Sequence, residues 1–274
     1  MELNLKDKVV IITGGATGIG KCTAIEYLKE GAHVAVCART LKNLENAKAE
    51  CAELGYELDI YQVDVSDTAS LEKLACDVEA KYGGIDIWIN NAGTSVRRPA
   101  LDFTPEEFER IRKVDFDAVF YGSQIAGRHM IAKGRKGCIV NVSSYTAIMG
   151  HTELAVYASC KAAVSSLTKT FAANLAPYGI RVVGFLPGMI VTEISKNSIA
   201  KNRDLYIQNV ALGRLGEVED LAKPIVFLTS DACGYMTGID LQITGGKYIV
   251  QDPRRAWAIK AEKEAAAATA AASE

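Results

Sequence analysis

Val9-Val10-Ile11-Ile12-Thr13-Gly14-Gly15-Ala16-Thr17-Gly18-Ile19-Gly20 is the stretch on which the fold turns. A β-branched run ends in glycines, and Gly18–Lys29 reads as a helix. A strand that passes through glycines into a helix leaves no side chains to block a phosphate. Glycines permit the tight turn, and the helix N-terminus offers free N–H groups and a partial positive charge to a pyrophosphate. Gly14, Thr17, Gly18, Ile19 and Gly20 are the predicted dinucleotide contacts of this loop.

The same alternation continues outward. After Lys8–Thr13, strands are predicted at His33–Ala38, Glu57–Val63, Ile85–Asn90, Cys138–Ser143, Ile180–Phe185 and Ile239–Ile243. Helices are predicted at Leu41–Leu54, Asp67–Tyr82, Thr104–Ala132, Leu154–Tyr178 and Glu217–Ser230. Strands apolar throughout are buried on both faces, as in a parallel sheet. Regular strand–helix alternation predicts an α/β, doubly wound parallel sheet of about seven strands with helices on both faces. Pro187–Val210 breaks the pattern. Residues 1–250 read as one domain. Residues 251–274 read as an alanine-rich, helical C-terminal extension whose part beyond Lys260 has little bulk to bury, while Trp257 and Ile259 anchor its start.

Composition sets the outer bounds. The 274 residues are 49% hydrophobic and 23% charged, enough apolar side chain for a core. With 31 basic and 33 acidic residues the formal net charge is −2, so the chain lacks the basic excess of a nucleic-acid-binding domain. No apolar run approaches the roughly 18 residues of a membrane span, and no apolar segment follows the N-terminus as in a secretory signal. Seven scattered cysteines, none in a Cys-x-x-Cys pair, point to thiols of a reducing, cytoplasmic compartment. His33, His129 and His151 have no metal-ligand spacing, and no metal is expected.

The second strand should end beside the adenosine ribose of a dinucleotide, where an acidic residue grips two hydroxyls. Here it ends Cys37-Ala38-Arg39-Thr40. A guanidinium suits a 2′-phosphate, so Arg39 and Thr40 predict NADP(H), with NAD(H) as the alternative cofactor. Of 11 tyrosines, only Tyr157 has a lysine four residues on, Lys161, and that spacing puts both on one helix face. This helix follows the fifth strand, whose end carries Ser143-Ser144. Ligands of open parallel sheets bind beyond the carboxyl ends of the strands. Serine, tyrosine and lysine therefore converge there. An ammonium stabilises a phenolate, so Lys161 is expected to lower the Tyr157 pKa and let the phenol exchange a proton with a substrate oxygen. Ser144 can hold that oxygen as charge develops.

Thr13-Gly14-x-x-x-Gly18-x-Gly20, Asp64-Val65, Asn90-Asn91-Ala92-Gly93, Ser144, Tyr157-Ala158-Ser159-Cys160-Lys161, Pro187-Gly188 and Thr192 occur in this order from Lys6 to Gly246. Over this span the chain resembles the short-chain dehydrogenase/reductase family. The resemblance implies a Rossmann-type fold, a ketone/secondary-alcohol oxidoreductase and a homodimer or homotetramer. It implies that Asp64 and Val65 lie by the adenine, that Asn91, Ala92 and Gly93 line the cofactor cleft, and that Lys161 also holds the nicotinamide ribose. Pro187, Gly188 and Ile190 would contact the cofactor and Thr192 its carboxamide side, with a substrate lid after Thr192. The family's fourth catalytic residue, an asparagine, is replaced by Asp115. The family's Arg-Val-Asn is Arg181-Val182-Val183, and its Asp-Gly-Gly is Thr244-Gly245-Gly246.

Three substrate classes follow. Ile148, Met149, His151 and Leu154, expected to line the pocket, suit a bulky apolar ketone such as a hydroxysteroid. The alternatives are a polyol or sugar acid, and a 3-oxoacyl group on an acidic carrier protein that could dock on Arg97, Arg98, Arg128, Lys133, Arg135 and Lys136. A catalytically silent dinucleotide sensor is the non-enzymatic alternative.

Overall fold

Five consecutive buried residues, Val9–Thr13, form strand β1 of the computed structural model, which describes residues 2–271. The chain continues through α1 (Gly18–Lys29), β2 (His33–Ala38), α2 (Leu41–Glu53), β3 (Asp59–Gln62), α3 (Thr68–Tyr82) and β4 (Ile87–Asn90). The second half comprises α4 (Pro105–Arg112), α5 (Ala118–Ala132), β5 (Cys138–Val142), α6 (Ala155–Leu175), β6 (Arg181–Pro187), α7 (Lys196–Gln208), α8 (Glu219–Thr229), β7 (Asp240–Ile243) and α9 (Arg255–Ala271). The sheet order is β3-β2-β1-β4-β5-β6-β7, and every neighbouring pair is parallel. The doubly wound α/β sheet expected from the sequence is therefore the observed one.

Period-two alternation explains why its strands are apolar throughout. Val10 and Ile12 face one apolar layer with α1, α2 and α8 residues such as Tyr27, Leu44 and Leu221. Val9 and Ile11 face the other, with Leu71, Val78 and Ile125 of α3 and α5. The edge strands β3 and β7 are only partly buried, as one open side requires.

Strand order reverses between β1 and β4. The carboxyl ends of this pair, Thr13-Gly14 and Asn90-Asn91, open the crevice where ligands of such sheets bind.

The structure adds detail that the sequence pattern does not show. Thr104–Ala132 is helical from Pro105 to its end, though not α throughout. Thr104 caps α4 in a reciprocal box with Glu107, but Lys113–Asp117 forms a π turn before α5 begins. Such a turn widens the helix and is common at functional sites. The irregular stretch Pro187–Val210 contains a helix, α7, broken at Asn202 (φ −140°). Tertiary contact also brings the donor atoms of Glu72, Cys76 and His129 within 4.8 Å of one another, a grouping invisible to sequence spacing. Both nitrogens of His129 are already engaged there, Nδ1 by Glu79 (2.7 Å) and Nε2 by Glu72 (3.0 Å), so the group is an ion-paired clamp between α3 and α5.

The start of the tail meets the body. Trp257 Nε1 donates to the Ala211 carbonyl (2.7 Å), and the Arg254 guanidinium lies 4.5 Å from the indole. From Ala261 to Thr269 the helix is exposed; residues 272–274 of the predicted extension lie outside the described residues.

Candidate active site

The glycine loop is fixed by sterics and by its neighbours. Gly14 (φ +65°) and Gly18 (φ +55°) occupy the left-handed region that strains other residues. A Cβ on Gly14 would stand 2.9 Å from Ala92 Cα, and one on Gly20 only 2.4 Å from the Gly14 carbonyl. Asn91 Nδ2 braces the loop from below, donating to the carbonyls of Thr13 (3.0 Å) and Gly14 (3.1 Å). Thr13 Oγ1 in turn accepts from the main-chain N–H groups of Asn91 and Ala92. Thr17 makes no side-chain cap to α1, so the first N–H groups of that helix are left for a ligand. The loop thus fits a pyrophosphate.

One cleft of about 380 Å³ runs from this loop along the ends of the strands. Gly14, Thr17, Gly18, Ile19, Arg39, Thr40, Val65, Asn91, Ala92, Gly93, Ser144, Tyr157, Lys161, Pro187, Gly188, Ile190 and Thr192 all line it. Three predicted residues do not. Gly20 is a packing glycine behind the loop. Asp64 is exposed, its Oδ1 accepting from the Ser66 N–H (2.9 Å) and hydroxyl (2.7 Å). Asp115 is fully buried behind the cleft wall. Asn43 lines the cleft beside Arg39 and Thr40, where α2 begins, and was missed. Its signal was its place one helical turn beyond those residues. Among the described residues no carboxylate pairs with the Arg39 guanidinium.

At the far end, Ser144 leaves β5 and caps a short turn. Its Oγ accepts from the Thr146 N–H (3.2 Å) and hydroxyl (3.0 Å), which leaves the Ser144 proton to donate elsewhere. Tyr157 and Lys161 stand on the first turns of α6, with the ammonium 5.5 Å from the phenol ring centre. Lys161 Nζ donates to the Val142 carbonyl (3.0 Å), so β5 and α6 fix its position together. The ammonium also lies 3.2 Å from Asp115 Oδ1 in the π turn. Asp115 Oδ2 accepts from the Thr94 N–H (3.1 Å), while Oδ1 meets Lys161 off the hydrogen-bonding direction and has no hydrogen-bond partner.

The electrostatics depart from expectation. Burial pushes the Tyr157 phenol up; the Lys161 ammonium opposes this, and the Asp115 carboxylate adds to it, so its pKa is raised, not lowered. Burial works against the Lys161 ammonium, yet Asp115 and Tyr157 outweigh it and hold the charge. Burial pushes the Asp115 carboxyl up against the pull of Lys161 and Thr94.

The substrate end also differs from the sequence reading. Of the four residues expected to line it, Leu154 does; Ile148, Met149 and His151 do not, and Ile148 and Met149 are exposed. Ser95, Arg97, Thr146 and Ser198 bring polar groups to the cleft beside Met189 and Ile194. Four members of the basic set are matched with acids: Arg97 with Glu153, Arg98 with Glu107, Lys133 with Glu79 and Arg135 with Asp86.

Comparison with known proteins agrees with this architecture. The family model for short chain dehydrogenase matches residues 8–203. A 3-oxoacyl-acyl-carrier-protein reductase of Thermotoga maritima is 36% identical over 247 residues, covering 90% of this chain and 100% of that protein. An L-rhamnose 1-dehydrogenase (NAD(P)(+)) of Sphingomonas sp. is 36% identical, covering 89% of this chain and 98% of that protein. A crystal structure from Beutenbergia cavernae with NADP bound at low occupancy superposes with a TM-score of 0.85 at 30% identity, covering 90% of this chain and 98% of that one. A cleft at the strand switch point with serine, tyrosine and lysine at one end, and these matches over nearly the whole length, have one meaning. The chain belongs to the short-chain dehydrogenase family and is an oxidoreductase acting on CH–OH groups.

Proposed function

We propose that the protein is an NADP(H)-dependent enzyme that interconverts a small hydroxylated ketone and its secondary alcohol. The observation that carries this reading is that Ser144, Tyr157 and Lys161 share one cleft with Arg39 and the glycine loop. The cofactor, when bound, supplies or takes up the hydride. Tyr157 gives a proton to the carbonyl oxygen in reduction and takes one from the alcohol in oxidation. Ser144 donates its free proton to the same oxygen as negative charge develops. Lys161, anchored by Val142, holds the phenol side of the cleft and reaches the ribose. Asp115 acts through Lys161 and is a positioning residue. All three reacting side chains are present, so an enzyme is favoured over a silent sensor.

Arg39 without an acidic partner, flanked by Thr40 and Asn43, favours NADP(H) over NAD(H). Polar groups from Ser95, Arg97, Thr146 and Ser198 favour a polyol, sugar or sugar acid over a steroid, whose expected contacts Ile148 and Met149 point away from the cleft. The pairing of the basic residues with acids weighs against a carrier-protein dock. Seven free cysteines favour a reducing, cytoplasmic setting, and the family resemblance favours a homodimer or homotetramer. Among the described residues no helix is long and apolar enough to cross a membrane.

The test is a panel of sugars, sugar acids, short diols, 3-oxoacyl thioesters and hydroxysteroids, read by nicotinamide absorbance with each cofactor. Turnover of sugars or diols with NADPH favoured over NADH is expected. Preference for NADH or for steroids would overturn the corresponding part.

A further inference from the structure

Asp115 is fully buried, its carboxylate accepting from the Thr94 N–H and lying in ion-pair contact with the Lys161 ammonium. Gly93 lines the cleft beside this pair: a Cβ there would stand 3.0 Å from Asp115 Oδ1 and 3.9 Å from Lys161 Nζ. An ammonium beside a phenol favours phenolate. When the ammonium has a carboxylate in contact, their summed charge is zero, and the phenol feels a dipole in place of a unit positive charge. A neutral asparagine at position 115 would leave the ammonium's charge intact.

We propose that Asp115 is the direct counter-ion of Lys161 and, by cancelling the ammonium's field at Tyr157, keeps the phenol protonated at neutral pH and poises the site for carbonyl reduction. The inference rests on the acid/base role proposed above for Tyr157. In reduction a hydride brings two electrons to the carbonyl carbon while the C=O π pair moves to oxygen. That oxygen takes the Tyr157 proton, the C–H and O–H bonds complete the alcohol, and solvent reprotonates the phenolate. Oxidation runs the same steps backwards and must begin from phenolate, so a protonated Tyr157 serves the reductive direction.

The surrounding charges support this balance. From α6, Lys161 faces the phenol; from the π turn, Asp115 does; from the end of β5, Ser144 supplies a hydrogen bond that favours phenolate. Burial, with Asp115 adding to it, pushes the Cys160 thiol up to about 11, so it adds no charge at neutral pH. Burial likewise raises the Tyr145 phenol, which lies near Tyr157 with Arg97 and Tyr248 about it and Lys247 5.3 Å from its ring. The net direction at Tyr157 is upward.

The experiment measures kcat/KM against pH in both directions for the wild type and Asp115→Asn, an isosteric change that keeps an acceptor for Thr94. The wild type is expected to reduce steadily through neutral pH and to oxidise well only on the alkaline side. In Asp115→Asn both limbs should move down by about 1–3 pH units, so that neutral-pH oxidation rises about tenfold or more. Superimposed profiles, with Tyr157→Phe inactive, overturn the inference alone. Undiminished turnover by Tyr157→Phe overturns the acid/base reading and the inference with it. A readout independent of turnover, and of whether Asp115→Asn folds, is tyrosinate absorbance of the wild type minus that of Tyr157→Phe during titration of the cofactor-free protein. Tyr157 should ionise at or above the ordinary tyrosine value of about 10, and ionisation below about pH 8 would overturn the proposal.

Discussion

The two ends of the cleft are built differently. At the cofactor end, main chain does the work: Gly14 and Gly18 in left-handed conformations, Asn91 bracing the carbonyls of Thr13 and Gly14, and a helix N-terminus behind. Little there can vary without a collision, as the 2.4 Å approach at Gly20 shows. At the substrate end, side chains from the loops around Thr146 and Ile194 set the shape, and α7 packs over them through Ile199 in a small cluster of its own with Met189 and Leu215. The difference separates two kinds of specification. Reaction class is tied to the strand switch point, whereas substrate choice is tied to loops that the sheet does not constrain.

The reacting residues at the far end give the largest expected effect. Tyr157→Phe removes the proton donor and leaves the ring, so turnover should fall by about 10²–10⁴-fold. NADPH binding, followed by cofactor fluorescence, should persist. A variant that loses both would show that the two ends are not separable.

A smaller effect is expected at the cofactor end. Arg39→Ala should lower kcat/KM for NADPH by about tenfold to a hundredfold, the value of one charge-assisted contact. NADH should be little affected. Equal losses with both cofactors would mean that Arg39 holds the loop and does not read the phosphate.

The α3–α5 clamp lies outside both ends and should affect stability alone. Burial disfavours the His129 cation, but Glu79 and Glu72 outweigh it and the pKa is raised above 6.5. A raised folded-state value means that this contribution is complete below the unfolded value and is lost as pH rises through the folded one. The wild type should therefore exceed His129→Gln in Tm by a few degrees at about pH 6 and by less at about pH 9, with catalysis unchanged. A gap in Tm that grows with pH would contradict the assignment.

The smallest effect belongs to the tail. Truncation after Lys260 removes the exposed stretch Ala261–Thr269 with the residues after it and should leave activity and light-scattering mass within error. Loss of either would bring the tail into the comparison as a third functional region.

The sequence displays best what one short stretch decides alone. The glycine loop, Arg39 and the Tyr157–Lys161 spacing each need only local geometry, and each lies on the cleft. The start of α4 was equally readable, since Thr104 and Glu107 form their box within four residues. The π turn was not, because Lys113–Asp117 has no composition that forbids an α-helix; tertiary contact decides it. The Asp115–Lys161 contact joins residues 46 positions apart in segments that meet only when α6 packs over β5 and β6. Ile148 and Met149 misled for a related reason. Apolar character shows that a side chain gains from burial, not in which direction a loop turns it, and both are exposed.

The Trp257 indole donates to the carbonyl of Ala211, and the next residue, Leu212, donates its N–H to the Gly245 carbonyl. This turn follows α7, so the last helix is tied to the segment that leaves α7 beside the substrate end. A carrier protein or affinity handle fused beyond α9 would extend the helix whose first turn carries Trp257. Attachment through the opposite terminus loads a different part of the molecule, where Leu5 is buried in the sheet's first apolar layer. The choice of handle thus decides which of these two contacts lies nearest the attachment point.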